Sequence, residues 1–421
     1  MTIGSSWFIA LRYLLGRGHE GGRYLRGAAI GIALSLVPIV VTLMVADGMI
    51  RGIMDRYLEL GTGHLQIYDY RRDGERTSIL ESLKSMEGFR GAWPERQGLG
   101  IIVGRKGKSG AGIRAVSPAF LEDKGTLEYL QPVEGSARIT DGRDVLLGEE
   151  LARSIGAAVG DTVRLMTART TGDGKTIPHL APFIVRGIVS SGYRELDALW
   201  CLISYEAGVR LLSPEASRSY VMVKIDDPYG GISQAADRAS RLLGPRFGVY
   251  TWGELQESQF KSYQSTRQLL LFIMALVVLV AAVNVSAATS MLAVERRRDM
   301  AVLKSFGADP GGTSRIFLFG SFLAGTVGSL AGISLGLAIG SSINYIIAFL
   351  ERISTGISFF FNGSPYKILD PEYYLSSIPV IVDWTALGAI LVSTILCSVL
   401  AAWSPARRAG RLAPTELLRK Y

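Results

Sequence analysis

The chain has 421 residues, 48% of them hydrophobic and 19% charged, with a net charge of +8 and a mean hydropathy of +0.27. That balance is too apolar for an ordinary soluble enzyme and too charged for a chain lying wholly in a bilayer, so a few spans plus a sizeable aqueous domain are expected. The arginines cluster beside apolar runs, which assigns the basic excess to lipid headgroups and membrane orientation, not nucleic acid; the two cysteines and His19, His64 and His179 are too scattered for a disulfide or a metal site.

Residues 1–26 read as a cytoplasmic N-terminus in which Trp7-Phe8-Ile9-Ala10-Leu11-Arg12-Tyr13-Leu14-Leu15 suits an interfacial lead-in helix. Residues 27–50, interrupted by Pro38, supply the roughly 20 apolar residues that a first span requires and read as an uncleaved signal anchor. Further spans are expected at 269–294, 316–350 and 386–403, a membrane α-helical fold of four transmembrane helices. The third would be ~50 Å long as a helix against a hydrocarbon core of about 30 Å, so it has to tilt, protrude or break.

Basic residues orient these spans. Arg12, Arg17, Arg23 and Arg26 precede the first; Arg296, Arg297, Arg298, Lys304 and Arg315 lie between the second and third; Arg407, Arg408, Arg411, Arg419 and Lys420 follow the fourth. Residues 351–385 carry Glu351, Asp370, Glu372 and Asp383 instead. Positive-inside logic sets both termini (1–26 and 404–421) and residues 295–315 in the cytoplasm, with 51–268 and 351–385 outside.

Residues 51–268 form a large mixed α/β extracytoplasmic domain between the first two helices. Strands are expected at 63–68, 100–103, 159–166, 183–189, 199–204 and 220–225, and helices at 79–86, 149–155, 206–212 and 234–243. The Pro-, Gly- and Thr-rich stretch 167–182 reads as a loop, and 254–267 as a helix running straight into the second span. Such continuity lets a stiff rod pass motion between domain and membrane.

Five consecutive charges from Glu295 to Asp299, at roughly 2.5–3.5 kcal/mol each, would cost on the order of ten kcal/mol in hydrocarbon, so this piece lies in water. Met300, Leu303, Lys304 and Phe306 fall near one face at helical spacing, Gly307 is a stop, and Asp309-Pro310-Gly311-Gly312 breaks the chain before the next run. A short amphipathic helix docking another protein fits; so does a charged loop that only sets topology. Gly328, Gly332, Gly336 and Gly340 form a four-residue-spaced ridge for close helix approach, within the bundle or between subunits. Asn284 suits an interhelical hydrogen bond. Leu43, Met44, Val45 and Met49 with Leu269, Phe272, Ile273 and Leu276 are candidates for a lipid cavity, or for ordinary bundle core.

Gly107-Lys108-Ser109 and Gly174-Lys175-Thr176 end like phosphate-binding loops, yet the required upstream glycine is replaced by Ile102 and Arg169. Both also lie outside, away from cytoplasmic ATP. No nucleophile–base constellation emerges, so the chain reads as a non-enzyme without cofactor or metal, and any ATPase as a separate chain.

The stretches Phe8-Ile9-Ala10-Leu11-Arg12-Tyr13-Leu14, Ala29-Ile30-Gly31-Ile32-Ala33-Leu34, the Glu295 to Gly307 segment, Leu369-Asp370-Pro371-Glu372-Tyr373-Tyr374, Ile378-Pro379-Val380 and the tail from Pro405 to Arg419 together resemble FtsX/MacB-like ABC-transporter permeases, most closely the LolC/LolE-type permeases of the lipoprotein-releasing system. The resemblance covers essentially the whole chain. It implies a bacterial inner-membrane permease that extracts acylated lipoproteins for a periplasmic carrier. It also implies a second identical or homologous permease and a cytoplasmic ATPase dimer holding ATP and Mg. Glu295, Arg296, Arg297, Arg298, Asp299, Met300, Leu303, Lys304 and Phe306 would couple to that ATPase. The family's carrier-binding hook would fall at 167–182, with Thr176, Ile177, Pro178, His179, Pro182 and Phe183, where Ile177-Pro178 resembles the hook's proline and Phe183 the aromatic after it. The rivals are a MacB-like efflux permease, which usually carries a fused ATPase ahead of its first span, and an FtsX-like regulator of a cell-wall hydrolase, whose outer domain is usually much smaller.

Overall fold

A computed structural model describes residues 3–15, 22–70, 76–170, 176–360 and 378–411. The expected stretches at Arg17, His19, 171–175, 361–377 and 412–421, including the Leu369 to Tyr374 segment and the end of the tail, lie outside the described residues. The chain divides into two compact units, one of Met1–Met49, Tyr263–Tyr366 and Ile378–Tyr421, the other of Ile50–Ser262 and Lys367–Ser377.

The first unit is helical. Its elements are α1 (Ile3–Leu15), α2 (Gly22–Arg56), α3 (Glu257–Glu295), α4 (Arg297–Ser305), α5 (Pro310–Ser341), α6 (Ile343–Phe360) and α7 (Trp384–Arg411), of which α2 and α3 continue into the second unit. Among the described residues four helices, α2, α3, α5 and α7, are long and apolar enough to cross a membrane. The long third run breaks. Ser342 leaves helical geometry (φ −97°, ψ 7°) between α5 and α6. The chain breaks between Ser305 and Pro310 as expected, but Pro310-Gly311-Gly312 already belongs to α5: extended Asp309 caps it, accepting from the Gly312 N–H at 2.9 Å with Pro310 at the first helical position.

The glycine ridge of α5 packs against α2. A Cβ at Gly328 would stand 2.6 Å from the Ala29 carbonyl oxygen, at Gly332 2.9 Å from the Ala33 Cα, at Gly336 2.7 Å from the Val40 Cβ and at Gly340 2.8 Å from the Met44 Sδ. The missing methyl groups therefore set an intramolecular helix separation. Asn284 is exposed; a buried polar contact between helices is made instead by Thr289 of α3 and Ser321 of α5, whose hydroxyls lie 2.9 Å apart.

The second unit carries a ten-stranded sheet: β1 (Leu65–Asp69), β2 (Phe89–Val103), β3 (Lys108–Val116), β4 (Gln131–Gly135), β5 (Asp144–Gly148), β6 (Thr162–Thr170), β7 (Thr176–Ser190), β8 (Trp200–Ser204), β9 (Ser217–Ile225) and β10 (Phe247–Thr251). Their order is β10-β1-β9-β2-β3-β8-β5-β7-β4, with β6 pairing β2 and β7; β3/β8 and β5/β7 are parallel. Alternation along β9 feeds two cores: Val221, Val223 and Ile225 pack under helices Arg76–Lys84 and Ile232–Leu243, while Tyr220 and Met222 face Phe120, Leu146 and Trp200.

One expectation fails here. Residues 167–170 and 176–182 are not loop but continue β6 and β7 as an antiparallel ladder, with Thr170 opposite Thr176, Ala168 opposite Pro178 and Arg164 opposite Pro182. Backbone pairing across the hairpin outweighs a composition rich in turn residues. Pro178 is accommodated because β7 has β6 as its one ladder neighbour there among the described residues, β5 joining from Ile184 onward.

Candidate functional site

The charged stretch between α3 and α5 is a helix, and local chemistry sets both ends. Arg296 departs from helical geometry (φ −90°, ψ 18°) and separates α3 from α4, while its Nη1 holds Asp299 at 2.9 Å. At the far end Gly307 has φ +87°, the Gly307 N–H donates to the Lys304 carbonyl at 2.9 Å and the Ala308 N–H to the Leu303 carbonyl at 3.0 Å. This is a Schellman stop, which glycine adopts without a Cβ penalty.

Which side chains α4 presents differs from expectation. Met300 is buried against Leu25, Ala29, Phe317 and Ala406, and Ala301 is buried as well, so Met300 belongs to the bundle core and offers nothing to a partner. Lys304 turns inward, its Nζ donating to the Gly410 carbonyl of α7 at 2.8 Å, where an ammonium complements a helix C-terminus. Glu295, Arg296, Asp299 and Leu303 are half-buried. The solvent-exposed residues are Arg297, Arg298, Val302, Ser305 and Phe306, the last 87% exposed. Val302, 51% exposed, was not legible as a site residue; its apolar character pointed inward. The Gly312 N–H holds the Asp309 carboxyl below its usual range, keeping the cap ionised beside this face.

The lipid-cavity candidates separate. Leu43 and Met44 are buried, Leu43 with Met274 and Val278 and Met44 with Val40 and Leu387, and Val45 and Met49 are half-buried. Leu269, Phe272, Ile273 and Leu276 lie on an exposed face of α3, 47–62% accessible, so the eight do not line one wall. The ends of three helices are tied instead by Arg267 of α3, whose Nε lies 3.1 Å from Asp47 of α2 and whose Nη2 lies 2.7 Å from Asp383, just before α7.

Of the hook candidates, Ile177 and Pro178 are exposed on β7 with Pro182, and His179 is half-buried opposite Thr167. Thr176 pairs with Thr170 at the described end of the hairpin. Phe183 is 4% exposed and sits in the apolar core with Val163 and Leu165, so it anchors the hairpin and is not displayed by it.

The second unit contains an arrangement that sequence reasoning missed. α2 ends in a π-helical turn, Tyr57–Thr62, and two buried cations grip that turn. Arg114 pairs bidentately with Glu95 at 2.7 and 2.9 Å, donates to the Leu60 carbonyl and lies 4.8 Å from the Trp200 ring centre. Burial would weaken the Arg114 guanidinium's hold on its proton; the Glu95 carboxylate more than offsets this and raises its pKa. Lys224, fully buried, reaches Glu59 at 2.9 Å, Asp123 at 2.7 Å and the Thr126 hydroxyl at 3.0 Å. His64 accepts the Ile225 N–H at Nδ1 (2.9 Å), which leaves Nε2 facing Glu59 at 3.3 Å. Burial would raise the Glu59 carboxyl, but the His64 hydrogen bond and the Lys224 ammonium overcome it and hold its pKa at about 2.

The entry to α3 is fastened to the same segment: the Trp252 N–H donates to the His64 carbonyl at 3.1 Å, its indole to the Pro228 carbonyl at 2.8 Å, and its ring meets Phe260 edge-on at 5.6 Å. The signal available in the sequence was Lys224 itself, a cation at an inward position of an apolar strand.

Residues 27–240 match the family of MacB-like periplasmic core domains, and residues 271–414 match the FtsX-like permease C-terminal family. The chain is similar to the lipoprotein-releasing system transmembrane protein LolC of Neisseria meningitidis, 26% identical over 420 residues and 98% of each chain. It is 27% identical over 429 residues to a protein of the same name from Xylella fastidiosa, again 98% of each chain. Similarity extends to the LolE protein of that system in Haemophilus influenzae, 22% identical over 435 residues and 100% of each chain.

Proposed function

Because the chain belongs to the family of MacB-like periplasmic core domains, joined to an FtsX-like permease C-terminal region, we propose that it is the permease subunit of an ABC transporter that extracts acylated lipoproteins from the inner membrane and passes them to a periplasmic carrier. Four helices cross the bilayer, both termini and α4 are cytoplasmic, and the sheet unit lies in the periplasm between α2 and α3. A separate ATPase dimer binds ATP and Mg, and a second permease copy, identical or homologous, completes the assembly.

The observation that carries this reading is near-full-length similarity to proteins named for lipoprotein release, combined with a short exposed helix between two apolar ones. Arg297 and Arg298 suit bidentate pairing with carboxylates of an ATPase, and Val302 and Phe306 supply an apolar anchor. Force received at α4 reaches the sheet unit along α2 and α3, which run on into that unit and are clamped there by Arg114, Lys224 and Trp252. Extraction needs such work because each buried CH₂ of an acyl chain contributes about 0.8 kcal/mol. The exposed apolar face of α3 meets lipid, and the exposed flank of the β6–β7 hairpin, Ile177 and Pro178, is the carrier contact.

Reconstitution with an ATPase partner and an acylated lipoprotein tests the reading by scoring ATP-dependent release to a soluble carrier. Retention of lipoprotein in the vesicle while peptides or toxins are exported would replace it with efflux, and activation of a cell-wall hydrolase without any release would replace it with regulation.

A further inference from the structure

The sheet of the second unit is split. β1 and β9 pair over three positions, Leu65 with Val223, Gln66 with Met222 and Ile67 with Val221. Beyond Ile67, β1 stays on β10 through Tyr68 and Asp69, while β9 stays on β2 back to Ser217. The strands diverge into a fork whose facing edges, Tyr68–Tyr70 and Ser217–Tyr220, carry no ladder partner for each other among the described residues. A cleft of about 680 Å³ fills the fork. That lies within the usual range for ligand sites. Exposed strand edges of this kind are templates for a further strand.

We propose that this fork is a strand-addition site for an extended, carboxylate-bearing polypeptide segment. Its charge selects the occupant: among the described residues the charged groups lining it are Arg96, Arg218 and Asp69, and the Asp69 carboxylate is already held by Arg246 at 3.1 and 2.9 Å. Arg218 is exposed at the mouth, and Arg96 is oriented by the Ser219 hydroxyl at 2.7 Å and the Leu212 carbonyl at 3.2 Å. Tyr70 and Tyr250, their hydroxyls 2.9 Å apart, form an amphipathic wall of the sort that grips peptides at low entropic cost. Main-chain pairing supplies affinity and Arg218 supplies sign selectivity. The site stands on sheet geometry and the residues that line it, and does not depend on the transport reading.

The test uses the full chain in nanodiscs and a capped seven-residue peptide alternating valine with aspartate. Binding should slow amide exchange at 68–70 and 217–220. Affinity should fall about tenfold or more, the loss of one good hydrogen bond or charge pair, when alternate peptide nitrogens are methylated, when aspartate is replaced by lysine, or in the Arg218→Glu variant. Because the first two changes leave the protein untouched, misfolding of the variant cannot mask the result. Equal binding of the methylated peptide, protection confined to other segments, or absence of saturable binding would overturn the proposal.

Discussion

Two regions of this molecule fasten a helix with cations, and they do it in opposite ways. Around the π-helical turn, Arg114 and Lys224 are sunk in the domain with every charge answered by a carboxylate, and their role is to fix geometry. On α4, Lys304 and Arg296 are spent on the protein's own Gly410 carbonyl and Asp299, while Arg297 remains at the surface. Buried charge makes a rigid joint at a desolvation cost, whereas exposed charge contributes little to folding and stays available to a partner. A machine that passes force needs both kinds.

The sharpest way to break this contrast is to remove a buried cation. Lys224→Ala removes the ammonium from Asp123 and leaves Glu59 with Arg90 and His64 at 3.3 Å as its remaining partners, and should cost about 3–5 kcal/mol, read as a large fall in the melting temperature of the detergent-solubilised chain; a loss below about 1 kcal/mol would place the joint among surface pairs. Acid should act on the same joint. The Glu59 pKa is depressed to about 2, so the stability it contributes is present above its ordinary value near 4.5 and lost as pH falls towards 2. Glu59→Gln should flatten that limb of the pH–stability curve, and an unchanged limb would remove Glu59 from the account.

Smaller effects follow in the helical unit. Gly332→Leu forces a side chain into the α2–α5 contact and should cost about 1–3 kcal/mol, whereas a neutral result would detach the ridge from α2. Asp309→Ala removes the α5 cap and should cost about 1 kcal/mol. Least of all in stability, under about 0.5 kcal/mol, is the double change Arg297→Glu with Arg298→Glu. It should nevertheless abolish ATPase recruitment or coupled release, measured by co-purification and by lipoprotein release. Normal assembly and release in that variant would strip α4 of its assigned task.

Local features were legible in the sequence and nonlocal ones were not. Apolar runs, Gly307 and the charged stretch are decided within a few residues, and the helices lie close to where those signals put them. The face of α4 was misassigned because Arg296 breaks the helix, so Met300 turns to the core and Val302 to the surface. The β6–β7 ladder depends on Arg164 meeting Pro182, and the Lys224 cluster gathers Glu59, His64 and Asp123 from distant segments; neither partner set is written in local pattern. Phe183 was read as display and is core, since burial is a property of the assembled sheet.

The prolines of β7 have a further effect. From Thr176 to Phe183 that strand has β6 as its one ladder neighbour among the described residues, and Pro178 and Pro182 interrupt the row of donors on its other side. Proline at such a margin hinders unwanted strand-to-strand adhesion. Neighbouring copies crowded on a membrane surface are thereby kept from zipping together along their hairpins, so replacing both prolines by valine should turn a dispersed protein into one that forms intermolecular sheet on concentration.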